Sequence, residues 1–268
     1  MEERKINWFP GHMKKATSDL KKIKHLDLII EVVDARAIKS SSNPELTQLF
    51  KQLPKVRVAL KKDLADLSTI DQSQVDLIGS IHEHELRKKI IQKMDEILAN
   101  KINTLKKKGL VAPQLYVLVV GISNVGKSSL IKCLKQHGKI IVENRPGVTK
   151  HQQLIKINER YFLYDTPGIM MKKISSITEG YILGLINTIN PAVLPMEDVL
   201  NFAWNYLTQH YLPQLIKYYH PSIQTMDLNA FIHYLQTKHH LPTSKRAYDF
   251  WFNELINGKI GKVNYEQN

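Results

Sequence analysis

The sequence predicts an α/β fold with a mostly parallel sheet, followed by an all-α C-terminal domain. Before residue 174, short apolar runs rich in β-branched residues alternate with helical patterns, as in sheets whose parallel strands are joined by helices. A glycine-rich motif typical of phosphate-binding loops directly follows the clearest of these runs. After residue 174 the regular patterns are helical and are interrupted by prolines. We therefore expect two domains, residues 1–174 and residues 175–268.

The first domain is expected to contain several strands and three helices. Its apolar runs predict strands at residues 28–33, 56–60, 115–120 and 161–164, with a less regular pattern at 75–81. Apolar residues at helical spacing predict helices at 12–25, 84–108 and 127–136. The second domain is expected to hold helices at 181–189, 196–210, 228–239 and 245–256, and a short strand near Val263.

Positive charge is concentrated in the first domain. The chain carries a net charge of +13, and residues 1–174 hold 32 Lys and Arg against 18 Asp and Glu. Such an excess favours a polyanionic partner, which is nucleic acid or an anionic membrane. The lysine-rich runs at 14–24, 87–89 and 106–108 can equally be solvated helix faces, which is the usual meaning of such runs. The total for the domain favours contact with RNA phosphates over solubility alone.

Other features of the chain argue against a membrane protein. No apolar run approaches the length of a spanning helix, and no apolar stretch follows the charged first residues as it would in a secretory signal. The single cysteine, Cys133, excludes an internal disulfide and fits a reducing compartment. We therefore expect a cytoplasmic protein without membrane association, and we expect it to be a monomer.

The strongest chemical signal is the segment GISNVGKS at residues 121–128, which matches the phosphate-loop pattern and lies between a strand and a helix. Glycines let the backbone N–H groups turn inward around an anion, and the helix N-terminus adds its positive dipole. Lys127 is expected to bind the β- and γ-phosphates, and Ser128 is expected to bind Mg²⁺. The nucleotide-binding residues expected here are Ser123, Asn124, Val125, Gly126, Lys127, Ser128 and Ser129.

Two further segments extend this site. The sequence DTPG at residues 165–168 follows the next strand, and an Asp at a strand end near a phosphate loop is the residue expected to bind Mg²⁺ through water. The N–H of Gly168 can bind the γ-phosphate. Thr149 lies between the two motifs, and its hydroxyl would complete the Mg²⁺ shell and order the surrounding loop.

The order of these motifs indicates a circular permutation. In an ordinary GTPase the phosphate loop is near the N-terminus and the base-binding motif follows it. Here roughly 120 residues precede the loop and contain strands of their own, and nothing after Gly168 has a strand–helix pattern that could carry a guanine site. The missing half of the sheet must therefore come first in the chain.

Several segments together are similar to one known family. They are WFPGHM at residues 8–13, DAR at 34–36, the phosphate loop with Asn124, RPGVT at 145–149, DTPG at 165–168 and GKVNYE at 261–266. The chain thus resembles the YlqF/RbgA family of circularly permuted GTPases, which assist late assembly of the large ribosomal subunit. The matching segments span nearly the whole chain.

The resemblance implies GTP hydrolysis that is stimulated by a large-subunit precursor, and a helical C-terminal domain that contacts rRNA. Ile169 stands where small GTPases carry a catalytic glutamine, and since an apolar side chain cannot orient water, another group must do so. His12 matches the residue proposed to position that water, although it can equally be a structural histidine. Asn124 matches a position that recruits potassium, or it is a turn residue bonded within its own loop.

The guanine motif departs from the family pattern Asn-Lys-x-Asp. The matching residues are Lys61, Lys62 and Asp63, so that one residue is lost and Lys61 stands where Asn belongs. Asp63 can still bind guanine N1 and N2, or Asp66 can be recruited; a second base contact is expected near residues 79–81. A site that lacks one hydrogen-bond partner discriminates less. Two alternatives therefore stay open: a nucleotide hydrolase of relaxed base specificity, and an RNA-binding assembly scaffold with a vestigial nucleotide site.

Overall fold

The computed structural model describes residue 23 and residues 25–135, 153–165 and 173–266, without the side chains of Thr47, Gln153 and Asp165. The chain folds into two compact units. The sheet unit comprises, within the described residues, residue 23 and residues 25–62, 71–135 and 153–165. The helical unit comprises 63–70 and 173–266. The segment 63–70 therefore belongs with residues that follow it by more than a hundred positions.

The sheet unit is built on a six-stranded sheet in the order β3-β2-β1-β4-β6-β5. Its strands are β1 (Leu28–Asp34), β2 (Lys55–Leu60), β3 (Leu77–Ile78), β4 (Leu115–Val120), β5 (Gln153–Lys156) and β6 (Tyr161–Asp165). Pairing is parallel for every described pair except β5 with β6, which is antiparallel. The mostly parallel sheet predicted from the sequence is confirmed.

Burial explains why these segments form strands. All seven residues of β1 are buried, and five of the six residues of β4 are buried. A strand covered on both faces requires a continuous apolar run rather than alternation, and both sequences have such a run. The central position of β1 and β4 in the sheet follows from this composition.

Four described α-helices belong to the sheet unit: α1 (Ile38–Ser41), α2 (Pro44–Leu49), α3 (Leu86–Lys107) and α4 (Lys127–Leu134). The long helix α3 buries one stripe, formed by Leu86, Ile90, Met94, Leu98 and Ile102. Their i, i+4 spacing places them on one face. Gly109, with φ of +88°, follows the end of α3, where a left-handed residue terminates a helix without a Cβ penalty.

The strand order confirms the circular permutation. Strands that precede β4 in the sequence pair on one side of it, and strands that follow it pair on the other side. The chain therefore completes one sheet in which β4, followed by the phosphate loop, is central. The carboxyl ends of parallel strands meet at one edge of a sheet, so that the segments after β1, β2, β4 and β6 share that edge.

The helical unit contains five described α-helices: α5 (Ile177–Leu185), α6 (Met196–His210), α7 (Leu212–Tyr218), α8 (Leu228–His239) and α9 (Ser244–Ile256). Its core is aromatic. The Phe231 ring stacks on Trp204 at a centroid distance of 4.4 Å and meets Trp251 edge-on at 5.1 Å. All three side chains are buried. Aromatic pairs in these geometries stabilise a core beyond the area that they bury.

Several sequence predictions differ from the structure. The strand expected near Val263 is wrong, because residues 261–264 are irregular and Val263 makes one backbone bond, from its N–H to Leu64 O at 3.1 Å. The first C-terminal helix begins at Ile177 rather than 181, because Ser176 caps it by accepting from the Glu179 N–H at 3.1 Å. Strand β5 and the helices α1, α2 and α7 were not predicted. The helix predicted at 12–25 lies outside the described residues, apart from residues 23 and 25.

Candidate nucleotide-binding site

The phosphate loop turns sharply between β4 and α4. Gly121, Asn124 and Gly126 all have positive φ, of +151°, +57° and +107°. Gly126 precedes the first helical residue, and no side chain in the described structure caps the N-terminus of α4. Successive turned residues before a helix point backbone N–H groups into one concavity, which is the arrangement that binds phosphate.

Two glycines of the loop lie close to atoms of neighbouring strands. A Cβ added at Gly121 would lie 2.5 Å from Val32 O, which is a rigid backbone atom of β1. A Cβ added at Gly126 would lie 2.9 Å from Leu60 Cδ1, at the end of β2. The loop therefore packs directly against the backbone of β1 and against the side chain of the last residue of β2.

Lys127 lies within this loop. Its Nζ donates a hydrogen bond to Ile122 O at 2.5 Å, and burial lowers its pKa to about 8. The ammonium is thus held against the loop by a neutral backbone oxygen, without a carboxylate partner within the described residues. Val125 is fully buried and packs beside Gly121. Ser128 is exposed, and Ser129 is half-buried. Ser123 is half-buried and Asn124 is exposed.

A buried ion cluster lies at the same sheet edge, at the end of β1. Asp34 is fully buried, and Arg36 donates to its Oδ1 through Nε at 3.0 Å and to its Oδ2 through NH2 at 2.9 Å. The Lys61 Nζ lies 2.7 Å from Asp34 Oδ2. Burial alone would raise the pKa of Asp34, but the charges of Arg36 and Lys61 and their hydrogen bonds outweigh it and lower the pKa to about 2. The sequence motif at residues 34–36 includes Asp34 and Arg36, but it gives no indication that Lys61 pairs with Asp34.

The guanine segment follows β2. Lys61 has φ of +65°, Lys62 N–H donates to Gly79 O at 3.3 Å, and Lys62 Nζ pairs with Glu83 at 2.8 Å. Gly79 and Ser80 thus lie beside Lys62, where a second base contact was expected. Directly after Lys62, Asp63 is exposed.

Asp66, the alternative base-binding residue, has a local structural role. Its Oδ1 accepts from Ser68 N–H at 3.0 Å and from Ser68 Oγ at 2.7 Å, and so caps the 3₁₀ turn Leu67–Thr69. One carboxylate oxygen is therefore already engaged.

Comparisons with known proteins agree with this geometry. A family model described as 50S ribosome-binding GTPase matches residues 116–234. The probable ribosome biogenesis GTPase A of Mycoplasma pneumoniae is 42% identical over 98% of this chain and 96% of its own length. The chain belongs to the ribosome biogenesis GTPase A family. The family member of Priestia megaterium is 36% identical over 80% of this chain and 78% of its own.

A solved structure supports the fold of this GTPase. The crystal structure of GNP-bound YlqF from T. maritima superposes with a TM-score of 0.66, at 21% identity, over 95% of this chain and 97% of that one. The likeness therefore extends over both the sheet unit and the helical unit.

Several predicted site residues of the GTPase lie wholly or partly outside the residues that the structure describes. His12, Thr149 and Gly168 lie outside the described residues, as does Ile169. For Asp165 the backbone alone is described, as the end of β6, which pairs with β4. Of the residues expected to bind Mg²⁺, Ser128 is the one whose side chain is described: it is exposed at the start of α4, directly after Lys127. In the part of the chain that the structure describes, no helix is both long and apolar enough to cross a membrane.

Proposed function

We propose that this GTPase acts in late assembly of the large ribosomal subunit, as a cytoplasmic monomer that hydrolyses GTP as a conformational switch. The observation that supports it most is the phosphate loop. Three positive-φ residues, an N-terminus without a side-chain cap in the described structure and a lysine held inside the loop together form an anion site. The relatives are named ribosome biogenesis GTPases, and those names supply the process.

Each residue of the site has a proposed task. The phosphates are bound by the backbone amides of the loop, from Ser123 to Ser129, and by the Lys127 ammonium. Asn124 can recruit a potassium ion. Ser128 and Thr149 would bind Mg²⁺ directly, and Asp165 would bind it through water. When bound, Mg²⁺ neutralises charge on the β- and γ-phosphates. His12 would orient the attacking water, because Ile169 cannot.

The proposed switch depends on the order of segments along the chain. Strand β6 ends at Asp165, the DTPG segment follows, and the helical unit resumes at residue 173. A Gly168 N–H bound to the γ-phosphate would lose that contact on hydrolysis. A change in the segment 166–172 is then transmitted along the chain to the helical domain, 175–268, which we propose contacts rRNA.

The proposed partner is a precursor of the large subunit and its rRNA, and charge supports it. From residue 97 to residue 135 the chain has no Asp or Glu, while it has Lys at seven positions. At the end of α3, Lys106, Lys107 and Lys108 are exposed and make no ion pair within the described residues. The loop after them exposes Leu110 and Val111, with 50% and 93% of their surface accessible. An uncompensated cationic tip of this kind suits an RNA backbone.

One observation favours a second candidate, a hydrolase of relaxed base specificity. Lys61 replaces the expected Asn, and its ammonium is engaged by Asp34 rather than by a base. Competition between GTP and ATP for the purified protein separates this candidate from a GTPase. A preference for GTP excludes it, and equal affinities support it.

The proposed function is tested by GTP hydrolysis with and without large-subunit precursor particles. We expect the particles to accelerate hydrolysis by the wild-type protein, and Lys127→Ala to abolish both the basal and the stimulated reaction. The variant Lys132→Ala, which removes an exposed lysine of the same helix, is the matched control and should behave as wild type. A wild-type protein that hydrolyses GTP but is not accelerated by particles contradicts the proposed ribosomal role.

A further inference from the structure

The residue that replaces the motif Asn is held in an uncommon backbone conformation. Lys61 follows the last residue of β2 and has φ of +65°. For a non-glycine residue this left-handed conformation is unfavourable, so that other contacts must hold it. One such contact is the ion pair of the Lys61 Nζ with Asp34 Oδ2, at 2.7 Å.

Asp34 is a rigid anchor for that ion pair. It is fully buried, it accepts from the Arg36 N–H at 3.0 Å in addition to the guanidinium, and its own N–H donates to Ser41 Oγ at 2.9 Å. Buried charge that is paired and hydrogen-bonded on several sides has little freedom to move. The Lys61 ammonium is therefore bound to a fixed point at the end of β1.

The same turn is coupled to the phosphate loop. Asp34 stands in register with Leu60, and Ala35 N–H donates to Leu60 O at 2.8 Å. Leu60 in turn occupies the space beside Gly126 that a Cβ would need. The end of β1, the end of β2 and the phosphate loop are thus in direct contact, and Lys61 is the first residue after that contact.

We propose that Lys61 is a positioning residue for the purine: through Asp34 it fixes the backbone of the turn at Lys61 and Lys62, which forms the guanine-binding edge of the site. Because its Nζ is paired with Asp34, Lys61 does not itself contact the base. Lys61 compensates for the missing Asn because it holds the backbone of the turn after β2. Guanine specificity is therefore retained in spite of the altered motif. This inference rests on the proposed function, since it requires that the site binds GTP.

The ratio of GTP to ATP affinity isolates this role, because both nucleotides have the same ribose and triphosphate. We expect the wild-type protein to prefer GTP by more than about tenfold, since loss of a hydrogen-bonding partner on a base is worth at least that much. Lys61→Met should lower the ratio by about tenfold through weaker GTP binding and leave ATP affinity unchanged. Lys61→Arg, which can still pair with Asp34, should restore most of the ratio.

A matched control lies on the same strand pair. Lys55 Nζ pairs with Glu31 Oε2 at 3.1 Å, and this carboxylate is also buried and also bound by an arginine, Arg57, at 2.9 Å. The exposed fractions of the two lysine side chains are alike, 31% for Lys55 and 25% for Lys61. Lys55→Met therefore removes the same kind of ion pair from the start of β2, and it should leave the GTP to ATP ratio unchanged.

The outcomes distinguish this inference from the proposed function. A wild-type protein that binds no GTP contradicts the proposed function itself. A wild-type protein that binds GTP without preference, a Lys61→Met variant with the wild-type ratio, or an equal drop in Lys55→Met overturns the positioning role alone. If Lys61→Met does not fold, Lys61→Ala, which also removes the contact with Asp34, is measured instead; a wild-type ratio in that variant also overturns the proposal.

Discussion

Asp66 and Asn264 are 198 positions apart in the sequence and are joined by two hydrogen bonds. The Asp66 N–H donates to Asn264 Oδ1 at 3.2 Å, and Asn264 Nδ2 donates to Asp66 O at 2.7 Å. The same Nδ2 also donates to Thr69 Oγ1 at 2.6 Å. One buried amide thus attaches the segment 63–70 to the end of the chain, within the helical unit.

Replacing this amide should destabilise the helical unit. Asn264→Ala leaves the Asp66 N–H without its partner and removes the shorter of the two hydrogen bonds to the Asp66 carbonyl, which still accepts from Thr69 Oγ1 at 3.3 Å. We expect a loss of about 2–4 kcal/mol in the free energy of unfolding. Urea unfolding followed by tryptophan fluorescence measures it, with amide exchange at Asp66 as a local probe. Asn257→Ala, which removes an exposed amide bonded to Asn253 O, should change stability by less than about 0.5 kcal/mol. Equal effects of the two variants would contradict the structural role of Asn264.

Replacing Gly126 should weaken nucleotide binding, because an added Cβ meets a close neighbour as well as a strained backbone. Gly126→Ala brings a Cβ to within 2.9 Å of Leu60 Cδ1 and strains a backbone with φ of +107°, so that the buried Leu60 side chain or the phosphate loop must shift. We expect GTP affinity to fall at least about tenfold, which is about 1.4 kcal/mol. Gly109 also has positive φ but has open space around its Cβ position, and Gly109→Ala should cost only stability, about 1 kcal/mol. Titration of GTP into both variants tests this, and unchanged affinity in Gly126→Ala contradicts it.

The pKa of Asp34 should depend on Lys61. In the folded protein that pKa is lowered from 3.8 to about 2, so that the unfolded state binds the proton more readily. The carboxylate therefore stabilises the fold fully above about pH 4, and this contribution, about 2 kcal/mol, is lost as the pH falls towards 2. Lys61→Met should raise the pKa of Asp34, because burial persists while one cation is removed. Carboxyl ¹³C shifts during an acid titration report it; the same pKa in wild type and variant would count against the ion pair.

The lysines at the end of α3 should bind RNA phosphates. Changing Lys106, Lys107 and Lys108 together to Gln should weaken binding to large-subunit rRNA and lower the slope of log affinity against log salt by about 2. A charge-matched control replaces the exposed Lys39, Lys51 and Lys132, which lie outside the lysine-rich runs, and should change the slope by less than about 0.5. Filter binding over a range of salt concentrations measures both. Identical slopes in the two triple variants would exclude this surface as the contact.

The sequence predicted the parts of the fold that have strong local signals. Strand β4 and the start of α4 were placed correctly, because a continuous apolar run followed by glycines and a lysine has few other interpretations. Strand β5 was missed because it is a short antiparallel edge strand. Helix α7 was missed because it has a proline near its start, and proline usually interrupts a helix. Local patterns do not determine such marginal elements.

Long-range contacts could not be predicted from the sequence. That Lys61 pairs with Asp34 follows only from the register of β1 and β2, which brings Asp34 opposite Leu60. Similarly, the bond between Asp66 and Asn264 depends on how the helical unit folds back on residues 63–70. The motifs identified the phosphate loop, whereas the side chains that hold the neighbouring turns were visible only in the fold.

Triphosphate binding by the phosphate loop is measured by calorimetric titration of the full-length protein with GTP in the presence of Mg²⁺. We expect the wild-type protein to bind with a dissociation constant below about 1 mM, Lys127→Ala to bind at least about 100-fold more weakly, and Lys132→Ala to bind as wild type. If the folded wild-type protein retains no purine triphosphate at millimolar concentration, where binding needs only about −4 kcal/mol, the phosphate loop does not have the role assigned to it.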